Sequence, residues 1–203
     1  MKDGPFDTRL PLHRAVSLLP DFLTLCAILC GLTSIRLSAE GKLGWAAGAI
    51  FAAVALDTAD GLAARRLSAV TAIGAELDSL ADCINFGAAP ALLLYWHGLH
   101  FLGEAGWLIA GVYVLATAMR LARFNVQSKE PGEAAHMNRF LGLPSTGAAA
   151  GVLSADLAVN ALFEPEKASV IVAGTALAAS ALMLSTLRVP APFKGGGGGT
   201  KND

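Results

Sequence analysis

The sequence is poor in charge. Of its 203 residues only 15% are Asp, Glu, Lys or Arg, against about 25% in ordinary soluble domains. Fifteen basic and sixteen acidic residues leave a formal net charge of −1. No positive field extends over the chain to draw in a polyphosphate backbone, so nucleic acid is excluded as a partner. Cysteine is equally scarce: Cys26, Cys30 and Cys83 form neither a disulfide framework nor a zinc-ligand spacing, and read as small residues inside apolar runs. The histidines His13, His97, His100 and His136 are scattered, and a histidine metal site is not expected.

Apolar residues are abundant, at 54% of the chain. A water-soluble globule of this size could not hide that much apolar side chain inside itself, so the solvent is a bilayer. A spanning helix needs about 20 mostly apolar residues. Six such runs are read, near 18 to 37, 43 to 64, 74 to 96, 104 to 123, 143 to 163 and 168 to 187. The period-2 alternation of a membrane β-barrel is missing. The expectation is an all-α integral membrane protein of six transmembrane helices occupying 18–190, with an N-terminal segment 1–17 and a flexible glycine-rich tail 191–203. The pairs Gly44-x-x-x-Gly48 and Gly147-x-x-x-Gly151 are expected to let helices approach closely, within the bundle or across a homodimer.

Lysine and arginine set the orientation. Lys2, Arg9, Arg14, Arg65, Arg66, Arg120, Arg123, Lys129, Arg139, Arg188, Lys194 and Lys201 fall on one side, while Arg36, Lys42 and Lys167 fall on the other. Twelve against three places both termini in the cytoplasm, with the chain in the cytoplasmic membrane. The first apolar run resembles a secretory signal only superficially. It is long, opens at Pro20-Asp21, and is needed to keep the later loops on the side their charges require.

Against this apolar background, five acids crowd the second and third runs: Asp57, Asp60, Glu76, Asp78 and Asp82. Each ionisable group at the centre of a span costs about 2.5–3.5 kcal/mol on insertion scales, and such groups are retained mainly for function. Asp57 and Asp60 are three apart and Asp78 and Asp82 four apart, so each pair shares one helix face. Turned together, the two faces make a pocket of four carboxylates that repel one another. Hard divalent cations with oxygen ligands answer both the charge and the geometry, and paired cations are a known arrangement for displacement at phosphorus. A structural network with Arg65 and Arg66 is the plainer alternative, and it explains four clustered acids poorly. The pocket lies near the cytoplasmic end of both helices, where soluble and lipid substrates meet.

The stretch from Asp57 to Asp82 reads D-x-x-D-G-x-x-A-R-x(8)-G-x-x-x-D-x-x-x-D, eight fixed positions over 26 residues. It resembles, without departure, the signature of the CDP-alcohol phosphotransferase family. The resemblance implies a six-helix membrane enzyme that breaks the pyrophosphate of a CDP-linked donor, transfers the phosphoryl-bearing group to an alcohol and releases CMP. By position, it implies that Asp57, Asp60 and Asp78 hold one divalent cation (Mg²⁺ or Mn²⁺), that Asp57, Asp78 and Asp82 hold a second, and that Asp82 is also the general base. Gly61, Ala64 and Gly74 would leave room for the nucleotide, although plain helix packing explains small residues equally well. Arg65 and Thr71 would contact donor phosphates.

Later blocks narrow the family. Glu76 to Ala91, Arg120-Leu121-Ala122-Arg123-Phe124-Asn125, Gly142-Leu143-Pro144-Ser145, and Ser185 to Lys194 are similar to its membrane-embedded bacterial and archaeal phosphatidylserine synthases. That branch implies CDP-diacylglycerol as donor, L-serine as acceptor, and CMP and phosphatidylserine as products. Arg120 and Arg123, at i and i+3, are candidates for the serine carboxylate with Asn125 nearby; anchoring to lipid headgroups is their alternative role. Asp21 departs from the asparagine usual at the opening of the first helix. Glycerol 3-phosphate, an inositol phosphate or choline would be the acceptor if only the family resemblance holds, and a divalent-cation transporter is the reading from a different class. Asp156 has no role that the sequence suggests.

Overall fold

Among the described residues the chain turns between helices at 40–42, 98–103 and 163–164, the last just ahead of Pro165. In a computed structural model the described residues are 19–67, 72–129, 139–141, 143–185 and 188–190, so the N-terminal segment 1–17, Thr71 and the tail 191–203 lie outside them. Helix α1 covers Leu19–Ala39 and α2 covers Leu43–Leu67. Between them Gly41 adopts φ +72°, the Gly41 amide donates to the Ser38 carbonyl and the Lys42 amide to that of Leu37. This pair of bonds is a Schellman closure, which needs a left-handed residue and so favours glycine. On the surface of that turn Glu40 takes Arg36 and Lys42 at 3.2 and 2.8 Å, and Lys42 beside it holds the Glu40 carboxyl below the usual carboxylate range.

The expected single helix over 74–96 is three segments: α3 (Ala72–Asp82), a π-helix (Cys83–Ala88) and α4 (Ala89–His97). Pro90 sits in the first turn of α4. It cannot donate to the carbonyl four residues back and its ring crowds that carbonyl, so the chain widens just before it. After a 3₁₀ turn, Leu99–Leu102, helix α5 runs from Glu104 to Lys129, six residues further than the sequence reading. Helix α6 covers Ser145–Leu162 and α7 covers Pro165–Leu184, the latter opening with Pro165 where the missing N–H costs nothing.

Two departures concern fold class. Strand β1 (Arg139–Leu141) pairs antiparallel with β2 (Arg188–Pro190), Phe140 opposite Val189. Three residues are too short to show alternation in sequence. Five helical stretches are long and apolar enough to cross a membrane, namely Leu19–Ala39, Leu43–Ala63, Ile73–His97, Glu104–Gln127 and Pro165–Leu184. The remaining expected run, 143 to 163, is helical as α6 but is not among them, because Asp156, Asn160 and its polar opening Ser145-Thr146 lower its apolar character.

Helix α1 lies along α2 and also meets α3, the π-helix and α4, while α7 packs on α5 and α6. One core joins Leu94, Leu99, Tyr113, Val152, Val172 and Met183, and a smaller one gathers Ile50, Leu93 and Leu153. Large apolar side chains also face outward along every long helix, among them Phe22, Trp45, Leu115 and Val170, as a hydrocarbon solvent requires.

Among the described residues of the chain, the glycine pairs expected to let helices approach closely seat no neighbouring helix. A Cβ built on Gly44, Gly48 or Gly151 would meet nothing within 4 Å, and on Gly147 only its neighbours Leu143 and Pro144 near 4 Å. The close approaches are at Gly31, where a Cβ would fall 2.1 Å from Asn85 Oδ1, and at Gly106, where it would fall 1.9 Å from the Leu99 carbonyl oxygen.

At the end of α4 the buried acid Asp156 finds its partners: His97 Nδ1 lies 2.5 Å from Asp156 Oδ2, and Asn160 Nδ2 donates to Oδ1 at 3.0 Å.

Gly31→Ala is expected to cost about 1–3 kcal/mol through overpacking, read as a lower unfolding temperature in detergent. Adding Asn85→Ala should recover most of the loss, because the clash is with that side chain alone at the closest distance. His97→Ala should also destabilise the chain, by about 3 kcal/mol or less given its partial exposure, since it strips a buried carboxylate of one partner; the loss is read as a lower unfolding temperature.

Candidate metal centre

Helix α2 carries Asp57 and Asp60 about two to three turns before its end, and α3 carries Asp78 and Asp82 a similar distance after its start. Only residues 68–71 separate the two helices in the chain, and the acids of both converge at one end of the bundle. Asp57, Asp60 and Asp78 each present a carboxylate oxygen, all within 4.8 Å of one another. Asp60 is buried, Asp57 half-buried and Asp78 exposed. Among the described residues this is the one group of three acids or other metal-ligand side chains that converges so closely.

Asp82 stands one turn further into the bundle. It is within hydrogen-bonding reach of Asp57 and feels the charge of Arg120, and its Oδ1 is buried without a hydrogen-bond partner. A buried oxygen with no donor is costly unless something occupies the space beside it. Three converging carboxylates, a fourth with an orphaned oxygen and no sulfur or imidazole among them form an oxygen-only donor set, which suits a hard divalent cation.

The surrounding helices hold this arrangement. From α1, Thr24 Oγ1 donates to Asp60 Oδ2 at 2.6 Å. From α5, Asn125 Nδ2 donates to Ser79 Oγ at 2.9 Å, and Ser79 lies between Asp78 and Asp82 on α3. Arg120 donates through an Nη1 hydrogen to Ser145 Oγ at 3.3 Å while its buried Nε has no partner.

The serine-site expectation therefore divides. Arg120 faces Asp82 and the opening of α6; Arg123 turns away and donates to the Leu184 carbonyl at 3.0 Å, closing the end of α7; Asn125 ties α5 to α3. Gly61 lies one residue past Asp60 on α2, and Gly74 lies one turn before Asp78 on α3. Ala64 and Arg65 belong to the closing turns of α2, and Thr71 falls outside the described residues.

Thr24, Ser79 and Ser145 were not singled out by sequence reasoning. Ser79 and Ser145 stand inside the recognisable blocks. For Thr24 the only local signal is that α1 buries a row of small residues, Pro20, Thr24, Ala27, Gly31, Ser34 and Ser38, in which a hydroxyl is conspicuous.

A helical bundle with outward apolar sides and a cluster of carboxylates at one end of its helices defines an integral membrane protein with an acidic site. More narrowly, the family profile of the CDP-alcohol phosphatidyltransferases matches residues 17–188, and the chain belongs to that family. It is 41% identical over 144 residues to a Mycobacterium leprae protein named CDP-diacylglycerol–serine O-phosphatidyltransferase, covering 70% of this chain and 48% of the relative. Proteins of the same name match from Bacillus subtilis, 39% over 127 residues (62% of this chain, 68% of the relative), and from Helicobacter pylori strain J99, 30% over 174 residues (85% and 72%). The chain spans about half the length of the mycobacterial relatives.

Ser79→Ala and Asn125→Ala should each lower stability by about 0.5–1.5 kcal/mol. Measured as a double-mutant cycle of unfolding temperatures in detergent, the pair should lose less than the sum of the single losses, because either change breaks the same bond.

Proposed function

We propose that the chain transfers the phosphatidyl group of CDP-diacylglycerol to the hydroxyl of L-serine, forming phosphatidylserine and releasing CMP. The observation that carries the reading is the convergence of Asp57, Asp60 and Asp78 beside the orphaned oxygen of Asp82. The names of the relatives supply the choice of donor and acceptor.

Asp57, Asp60 and Asp78 would hold one divalent cation, Mg²⁺ or Mn²⁺, and Asp57, Asp78 and Asp82 a second. Once bound, the pair supplies charge neutralisation for the donor's pyrophosphate and the departing CMP. The chain's own groups do the rest. Asp82 accepts the proton of the serine hydroxyl as it attacks the phosphorus. Gly61, Ala64 and Gly74 leave the nucleotide room against α2 and α3, and Arg65 with Thr71 would hold donor phosphates. Arg120, with a buried N–H to spare and Ser145 beside it, takes the serine carboxylate in charge-assisted hydrogen bonds. Asn125 and Arg123 act at one remove, through α3 and α7.

The same reading makes α6 the sixth span, with both termini and the carboxylate pocket facing the cytoplasm across the cytoplasmic membrane. The distribution of lysine and arginine supports it, twelve against three.

The test is an acceptor screen on membranes containing the full chain, with CDP-diacylglycerol, Mn²⁺ or Mg²⁺ and labelled acceptors, reading CMP release and labelled lipid. Serine should be the alcohol consumed. Glycerol 3-phosphate, an inositol phosphate or choline in its place would leave the family and overturn the acceptor. Asp82→Asn should cut turnover by about 10²–10⁴-fold in a protein that still folds. Arg120→Lys should raise the KM for serine more than it lowers kcat, and should discriminate less against serinol, which lacks the carboxylate.

A further inference from the structure

We propose that Thr24 is a positioning residue for the metal centre, acting from α1 through Asp60. The inference rests on the reading of the acid cluster as a divalent-cation site. It reaches a helix that contributes no acid to that cluster.

Asp60 is the buried member of the converging trio, and Thr24 is buried against it. A carboxyl group at the end of a short side chain turns about its Cβ–Cγ bond, and an isolated one would present either oxygen to a ligand at many angles. Here Oδ2 is held at 2.6 Å by Thr24 Oγ1. The group is planar, so fixing one oxygen fixes the other. Outer partners of this kind orient coordinating side chains, and losing one typically costs about 10–100-fold in metal affinity.

The hydroxyl is itself constrained. Thr24 is β-branched on a helix, where its hydroxyl can bond back one turn, and Oγ1 lies 3.0 Å from the Pro20 carbonyl. One proton thus has two acceptors. The shorter contact is the one to Asp60, at 2.6 Å against 3.0 Å to the Pro20 carbonyl, so the hydroxyl is held between the backbone of α1 and the carboxylate.

The experiment titrates Mn²⁺ into the purified full chain in detergent without substrate, following free Mn²⁺ by electron paramagnetic resonance, with unfolding temperature as a check on folding. Thr24→Val keeps the shape and removes the hydroxyl, and should weaken Mn²⁺ binding by about tenfold or more; Thr24→Ser should restore it to within about threefold. Thr24→Ala is read in the same way should the valine variant not fold. Asp60→Asn serves as the reference. If Asp60→Asn weakens binding while the Thr24 variants bind as the unaltered chain does, Thr24 is packing only and the proposal falls alone. If Asp60→Asn binds Mn²⁺ unchanged, the metal reading of Asp60 falls and takes the proposal with it. Weakening by valine without rescue by serine also overturns it, since shape rather than the hydroxyl would then matter.

Discussion

Mutual repulsion among four carboxylates in a lipid-embedded bundle is the constraint that orders the rest of this structure. Asp57, Asp60, Asp78 and Asp82 come together where opposite charge is short: Thr24 and the Gly61 backbone amide donate to Asp60, and the guanidinium of Arg120 acts on Asp82 from further off. Such a cluster is unfavourable unless cations complete it. Around it, the helices act as a brace. The Thr24 hydroxyl reaches in from α1 and the Asn125 amide from α5 grips Ser79 between the two acids of α3; Arg120 bridges toward Ser145 at the start of α6.

The contrast with Asp156 is instructive. That acid is also fully buried, yet both of its oxygens are taken, one by His97 and the other by Asn160. A buried acid with both oxygens hydrogen-bonded by side chains holds α4 to α6. One with a bare oxygen, as at Asp82, still has capacity to bind. Completeness of hydrogen bonding, rather than burial, separates the structural acid from the chemical ones.

Backbone geometry carries a second theme. The π-helix Cys83–Ala88 begins directly after Asp82, and π-turns recur at functional sites because they re-aim side chains. Its widened turn places Asn85 against Gly31 of α1, so the helix bearing two of the four acids is seated on α1 at a point where only glycine leaves room.

The sequence alone determines the membrane, the positions of the helical runs and the identity of the acids. Apolar length and intrahelical spacing are local properties: three apart on α2 and four apart on α3 already place each pair on one face. Tertiary structure decided what depends on residues far apart in the chain. It joined Thr24 to Asp60, Asn125 to Ser79 and His97 to Asp156, separations of 36, 46 and 59 residues, and it sent Arg123 to the end of α7 while leaving Arg120 at the site. It also put the tight helix contacts at Gly31 and Gly106 in place of the glycine pairs that the spacing favoured. A hydrogen bond or a close approach requires two partners at fixed distance, and only packing brings the second partner into place.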